Sequence, residues 1–261
     1  MNILNAFKLL ASEVIFKLNY PFNLSNENEI LKKIKYEGYA QIDNFISRSE
    51  CEELIGYVDE IIIKEKEFVS VESDGNDLRI YGVDRLTKVF DIKKQLDLVS
   101  SIHKLFYFPK KKDSFTLLGK ISFKEGNKGS GTGWHRDSPF SHQFKTILYL
   151  SDVTNNNGPF QYLPKSHKFN NLLKISDRLQ KPLNEDRFTD AEIDTLIKQG
   201  AIDEPITFCA NQGTLILVDT RGLHRGKPLL SDNRYALTSY NYSNKLPKGI
   251  SNLPVFKINS I

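Results

Sequence analysis

His135 and Asp137 form an H-x-D pair directly after the glycine-rich turn Gly126 to Gly133 (GNKGSGTG). Side chains two residues apart on a strand point to one face, so an imidazole and a carboxylate at this spacing can grip a single ion. His224 stands within Arg221-Gly-Leu-His-Arg-Gly226, after the apolar run Thr214 to Asp219. Two imidazoles and one carboxylate, with the opposite side of the ion left open, are the ligand set of non-haem Fe(II) sites that activate dioxygen. The open positions are needed because a cosubstrate and dioxygen must both reach the iron. Arg234 follows His224 by ten residues and opens the run Tyr235 to Tyr242. A guanidinium is the natural bidentate partner for a carboxylate buried in a barrel. Strand alternation puts Ala236 and Thr238 on the same face, where Thr238 can add a hydroxyl contact to that anion. Lys120 and Ser122 lie on the strand before the glycine-rich turn and are further candidates to face the pocket, Lys120 as a contact to cosubstrate or substrate.

The other histidines and nearby cations have plainer readings. His142 lies beyond Pro139 with no matching partner, His167 is expected to brace a turn, and His103 falls inside a helical pattern. Trp134 should pack on the face opposite His135. Arg136 and Arg225 flank the ligands and are expected at the pocket rim; were they to reach inward, an anionic substrate would be favoured.

These residues sit in the strand-rich second half. Phe115 to Phe123, Gln143 to Val153, Pro159 to Leu163, Ile206 to Cys209, Thr214 to Asp219 and Tyr235 to Tyr242 read as short strands. The turn signals Asn155 to Gly158, Asn211 to Gly213 and Ser231 to Asn233 separate them, a pattern that points to a sandwich or barrel. Phe169 to Asp203 interrupts the series as an insertion. Thr189 with Glu192 forms a capping box there, Ile193, Leu196 and Ile197 make one apolar face, and Gly200 marks the stop. Long insertions beside barrels often serve as lids.

The first half reads as mostly helical. Met1 to Tyr20 carries Ile3, Phe7, Leu10, Val14 and Leu18 at helical spacing, interrupted by Lys8, Glu13 and Lys17. A signal peptide would be expected to have a continuous apolar centre, so the pattern predicts an amphipathic helix packed on the domain, with a membrane-surface or partner helix as the alternative. Pro21 should end it. A short helix over Asn28 to Lys35 and a strand over Gly38 to Phe45 follow. A helix opened by the Ser47/Glu50 capping box carries Leu54, Tyr57, Val58, Ile61 and Ile62 on one face. Val69 to Asp77 reads as a polar loop, Asp91 to Phe106 as another helix, and Lys110 to Lys112 as a solvated turn.

Length and composition set outer limits. At 261 residues and 39% hydrophobic, the chain can bury a sizeable core in one domain, 1–261, and wholesale disorder is excluded. A net charge of +4 is too mild for a dedicated nucleic-acid binder. Cys51 and Cys209 form neither a disulfide framework nor metal spacing, which fits a reduced, cytoplasmic setting. No apolar run is long enough to span a membrane. Oligomeric state cannot be read from the sequence.

The chain resembles the phytanoyl-CoA dioxygenase family of Fe(II)/2-oxoglutarate-dependent oxygenases. The resemblance rests on Gly38-Tyr39 to Phe45 with the following helix, Trp134-His-Arg-Asp137, Leu150-Ser-Asp-Val153, Asn157-Gly-Pro159, Leu163-Pro-Lys-Ser-His167, Gly213-Thr-Leu-Ile-Leu217 and His224-Arg-Gly226 followed by Arg234. It implies a mainly β fold with flanking helices: a double-stranded β-helix (a jelly roll, cupin-like), here 114–245, after a mostly helical 1–113, with 169–203 as a candidate lid. It implies that His135, Asp137 and His224 bind iron and that Arg234 holds the distal carboxylate of 2-oxoglutarate. O2 would be the co-oxidant and a small molecule or metabolic intermediate the substrate, hydroxylated at an unactivated C–H bond with release of succinate and CO2. Two departures stand out. Lys165 occupies a place that is usually Gly, and Gly226 one that usually carries a hydroxyl contact to 2-oxoglutarate. Asp137 is retained where related halogenases have a small residue, which favours hydroxylation or another oxidation. Two rival classes stay open: a cupin-type metal enzyme that does not use 2-oxoglutarate, and a non-catalytic β-helix binding protein.

Overall fold

A computed structural model describes residues 3–19, 29–72, 75–83, 113–140, 143–242, 246, 248–253 and 255. The predicted helix Asp91 to Phe106 with His103, the Lys110 to Lys112 turn, Pro21 and His142 lie outside the described residues. In chain order the helices are α1 (Ile3–Asn19), α2 (Glu29–Glu37), α3 (Arg48–Lys64), α4 (Phe169–Arg178), α5 (Asp190–Lys198) and α6 (Lys248–Ser251). The strands are β1 (Tyr39–Ile42), β2 (Val69–Glu72), β3 (Asp77–Tyr81), β4 (Asp113–Ser122), β5 (Trp134–His135) and β6 (Gln143–Tyr149). They continue as β7 (Phe160–Tyr162), β8 (Arg187–Phe188), β9 (Ile206–Phe208), β10 (Leu215–Asp219), β11 (His224–Gly226) and β12 (Asn233–Tyr242).

The strands form two antiparallel sheets, one ordered β1-β10-β6-β12-β4-β3-β2 and the other β8-β5-β11-β7-β9. This is the expected jelly-roll architecture, mainly β with flanking helices. Alternation along the strands of the large sheet separates two apolar layers. Leu118, Leu148, Leu215, Leu217 and Leu237 face outward onto Leu54, Val58 and Ile61 of α3. Tyr149, Ile216 and Val218 face inward onto Phe160, Tyr162 and Phe208 of the small sheet. A third layer covers the back of the small sheet, where Trp134 and Phe188 meet Ile175 of α4 and Ile193 and Leu196 of α5. Each fully buried Leu or Ile contributes roughly 1.5–3 kcal/mol, so these layers fix the strand registers that aim the polar residues into the barrel.

Local signals place several elements where the sequence predicts them. Both capping boxes form: the Ser47 and Thr189 side chains accept from the backbone N–H of Glu50 and Glu192, and those carboxylates accept in return. Trp134 packs in the third layer as expected. Helix α1 seats Leu9 against Leu172 and Leu183, and its Glu13 pairs with Arg221.

Two expectations are overturned by the structure. Val69 to Asp77 is not a polar loop; β2 and β3 form a hairpin that extends the large sheet beyond β4. Its apolar alternation (Val69, Val71, Leu78, Ile80) is split by the polar turn, which hides it in a linear reading. Among the described residues the N-terminal part supplies the strands β1, β2 and β3 as well as helices. The insertion 169–203 holds two helices and the strand β8, which pairs with β5 as an edge of the small sheet. Lys165 does adopt the left-handed region, at φ 63°, where the family's turn carries Gly.

Candidate metal centre and active site

His135 and His224 are directly opposed residues of the antiparallel pair β5 and β11, so both rings leave the sheet on the same side. Their ring centroids are 4.2 Å apart. Asp137, just past β5, is held by its backbone N–H donating to Thr220 O at 3.0 Å. One ligand atom from each of His135, Asp137 and His224 lies within 4.8 Å of the others. Each imidazole is oriented from behind: His135 Nδ1 lies 2.9 Å from Gly133 O and His224 Nδ1 lies 2.9 Å from Gly222 O. A carbonyl accepts only from a protonated nitrogen, so both rings present an unprotonated Nε2 to the shared point, as metal ligation needs. His224 Nε2 is buried with no hydrogen-bond partner, while the Asp137 carboxylate is held by Lys145, which donates to Oδ1 at 3.0 Å and lies 2.9 Å from Oδ2. A buried nitrogen left in this way calls for a ligand, and a divalent cation satisfies it. Gly131 makes the approach possible: at φ 83°, a Cβ there would lie 2.3 Å from the His135 ring.

The electrostatics agree with the geometry. Burial, followed by the Lys145 charge, pushes His135 down to about 4. Burial and then His135 hold His224 well below its ordinary value. Burial alone would raise Asp137, but Lys145 and the two imidazoles outweigh it and keep the carboxyl well below the usual range. At neutral pH the set is two neutral imidazoles and one carboxylate.

Arg234 lies at the base of the same cavity, which has a volume of about 260 Å³. Its side chain is buried and donates to Gly158 O. It has no carboxylate partner among the described residues. Ala236 and Thr238 line the cavity beside it, as strand alternation predicted.

Lys120 does not face the cavity, contrary to expectation. Arg234 faces inward, so its neighbour Tyr235 faces outward, and Lys120 is the cross-strand partner of Tyr235. Lys120 therefore leaves the cavity, bonding Asp59 of α3 at 2.9 Å with its Nζ over the Tyr235 ring. Ser122 alternates with it and shares that outward parity. Arg136 and Arg225 are not rim residues reaching the pocket. Arg136 is buried over the Phe188 ring, and Arg225 stacks on Trp134 while donating to Gln161. His167 does brace a turn, its Nε2 lying 3.2 Å from Lys35 O.

Among the cavity residues that escaped the sequence reading are Arg79, Lys145, Arg187 and Ser130. Arg79 sits on β3, just beyond the Val69 to Asp77 stretch read as loop. Lys145 lies in a strand buried on both faces, where no polar alternation tells inward from outward. Arg187 belongs to the unrecognised β8. Ser130 lies against Gly226, where a Cβ would come 2.9 Å from its own, so its side chain occupies the space that a residue at 226 would need.

The fold and the inward-facing His-Asp-His set define a class, the non-haem iron oxygenases built on a double-stranded β-helix. The chain belongs to the phytanoyl-CoA dioxygenase family, whose profile matches residues 34–236. Members of this family are Fe(II)/2-oxoglutarate-dependent oxygenases. The ectoine dioxygenase of Halomonas elongata is 22% identical over 153 residues, 53% of this chain and 45% of that protein. The match thus spans less than half the length of that relative. Among solved structures, apo EctD from S. alaskensis superposes with a TM-score of 0.62 at 14% identity, over 86% of this chain and 80% of that one. The alpha ketoglutarate dependent carbocyclase SnoK from nogalamycin biosynthesis gives 0.60 at 16% identity, covering 84% of each chain. The epimerase SnoN, solved in complex with Fe3+, alpha ketoglutarate and nogalamycin RO, gives 0.60 at 13%, over 89% and 91%. At these identities the likeness establishes the shared fold.

Proposed function

We propose that the protein is an Fe(II)- and 2-oxoglutarate-dependent dioxygenase that oxidises a small molecule, with hydroxylation of an unactivated C–H bond as the outcome and succinate and CO2 as coproducts. The observation that carries this reading is the pairing of a convergent His-Asp-His set with a buried Arg234 that has no carboxylate among the described residues. Burying an unpaired guanidinium is costly, so the site is built for an anion to complete it. His135, Asp137 and His224 would hold the iron, and Arg234, with Thr238 beside it, would hold the distal carboxylate of 2-oxoglutarate. When bound, iron and 2-oxoglutarate supply the oxidising chemistry, with O2 as the second cosubstrate. The chain's own task is to fix three ligands on one side, anchor the far carboxylate and screen the reacting bond from water. The Arg234 anchor favours this reading over a cupin-type enzyme that does not use 2-oxoglutarate.

A cavity of about 260 Å³ fits a compact substrate or the slim end of a larger one. Arg187, on β8 of the 169–203 insertion, reaches the cavity wall, which supports that insertion as the cover of the site. The two cysteines are free, in keeping with a reduced, cytoplasmic setting. No helix of the described residues is long and apolar enough to cross a membrane.

The test is 2-oxoglutarate turnover with Fe(II) and O2, followed as succinate by mass spectrometry. The wild-type protein should form succinate slowly even without primary substrate, and Asp137→Ala should form none. Equal succinate from Asp137→Ala would remove the iron assignment.

A further inference from the structure

The cavity carries more positive charge than the iron and cosubstrate account for. Arg79, Lys145, Arg187 and Arg234 line it, against the single carboxylate of Asp137. Arg79 is already neutralised, since it donates to Asp77 through Nε at 3.1 Å and through a terminal nitrogen at 2.7 Å. A divalent iron and the 2-oxoglutarate dianion cancel each other. Asp137 then balances one of the three remaining cations and leaves two unmatched.

Position shows where the excess lies. Along β12 the inward residues run from Arg234 through Ala236 and Thr238 to Tyr240, and Lys145 on β6 pairs with Tyr240. Lys145 is thus at the end of the row away from Arg234, beyond the point that the cosubstrate's distal carboxylate would occupy. Its Nζ lies 2.9 Å from Asp137 Oδ2 and 4.5 Å from the Tyr240 ring centroid. Arg187 is the cross-strand partner of His135 and stands at the exposed edge of the cavity. Its side chain donates to Gly131 O and Thr132 Oγ1, and no carboxylate pairs with it among the described residues.

We propose that the primary substrate carries an oxyanion group, which Lys145 and Arg187 bind beside the metal at the end of the cavity away from Arg234. This deepens the oxygenase reading and rests on it. A lysine has three N–H donors, so Lys145 can keep its contact with the Asp137 carboxylate and still offer a donor to the substrate. Arg187, nearer to solvent, meets the anion first. A neutral or cationic substrate would leave the buried Lys145 to share one carboxylate with the metal and would give Arg187 no partner, which makes the pair determinants of specificity.

The probes are benzoate and phenyl phosphate, with benzamide as their neutral counterpart, on protein loaded with Mn(II) and saturated with 2-oxoglutarate. Mn(II) reports on metal uptake by electron paramagnetic resonance and broadens the proton signals of any probe held near it. At least one anion should bind ten times more tightly than benzamide, with its ring protons broadened. Lys145→Met should lose that preference while binding Mn(II) at least as well, because a competing cation leaves Asp137. Arg187→Gln, at the exposed edge, should weaken the same anion severalfold and leave benzamide unchanged. Anions that bind no better than benzamide, or a preference that survives in both variants, would overturn the proposal. Failure of the oxygenase reading looks different: no Mn(II) uptake, or an Mn(II) signal indifferent to 2-oxoglutarate.

Discussion

Gly131 shows how far one side chain can decide the site. A Cβ there meets the His135 ring at 2.3 Å, and the φ of 83° already disfavours any L side chain. Gly131→Ala should therefore weaken Fe(II) binding at least tenfold by pushing His135 aside, measured by metal titration, while the far-ultraviolet spectrum is unchanged. His167 gives a pH dependence with a definite sign. Burial holds it at about 4 in the folded chain, and in the unfolded chain it titrates near 6.5. The unfolded state thus takes up a proton first, and stability is lost as pH falls from 6.5 towards 4, by up to roughly 3 kcal/mol for this group. Denaturant unfolding of metal-free protein at both pH values should show a smaller loss in His167→Gln than in wild type. At this scale the sequence was informative for the ligands because their identities and spacing are themselves the chemistry. It misled at Lys120, because the face of a residue depends on strand register, which Arg234 and Tyr235 settle only once β4 is paired with β12.

Among the elements, the loop before β11 has an unexpected brace. Arg221 pairs with Asp219 at 2.9 Å and with Glu13 of α1 at 2.6 Å, all three largely shielded from solvent. The first helix is thereby tied to the segment whose Gly222 carbonyl orients His224. Removing one partner of a buried ion pair costs about 3–5 kcal/mol, so Arg221→Met should lower stability by a few kcal/mol in chemical denaturation. It should also raise the Fe(II) concentration needed for half-saturation. A stable variant with unchanged iron affinity would show the brace to be incidental. Helices α3 and α5 could be read from their capping boxes, which are local signals. The β2–β3 hairpin, α4 and β8 could not, since each is stabilised by distant partners: β4 for the hairpin, the third apolar layer for α4, and β5 for β8.

For the whole molecule, the architecture was legible because the motifs from Gly38 to Arg234 occur in one order and the strands are separated by clear turn residues. What the order of motifs did not convey is the inward charge of the barrel, since Arg79, Lys145 and Arg187 come from three separate strands and meet only in the closed fold. The proposed chemistry needs an iron with an open side facing Arg234. Anaerobic titration with Fe(II) and then 2-oxoglutarate tests this directly, through the weak visible charge-transfer band of a keto-acid chelated to open-sided iron. The band should appear with the wild-type protein. In Arg234→Ala it should need ten- to a hundredfold more 2-oxoglutarate, the equivalent of about 1.5–3 kcal/mol for a charge-assisted contact. Bound iron with no band at saturating 2-oxoglutarate, or an Arg234→Ala titration that overlays the wild type, would contradict it.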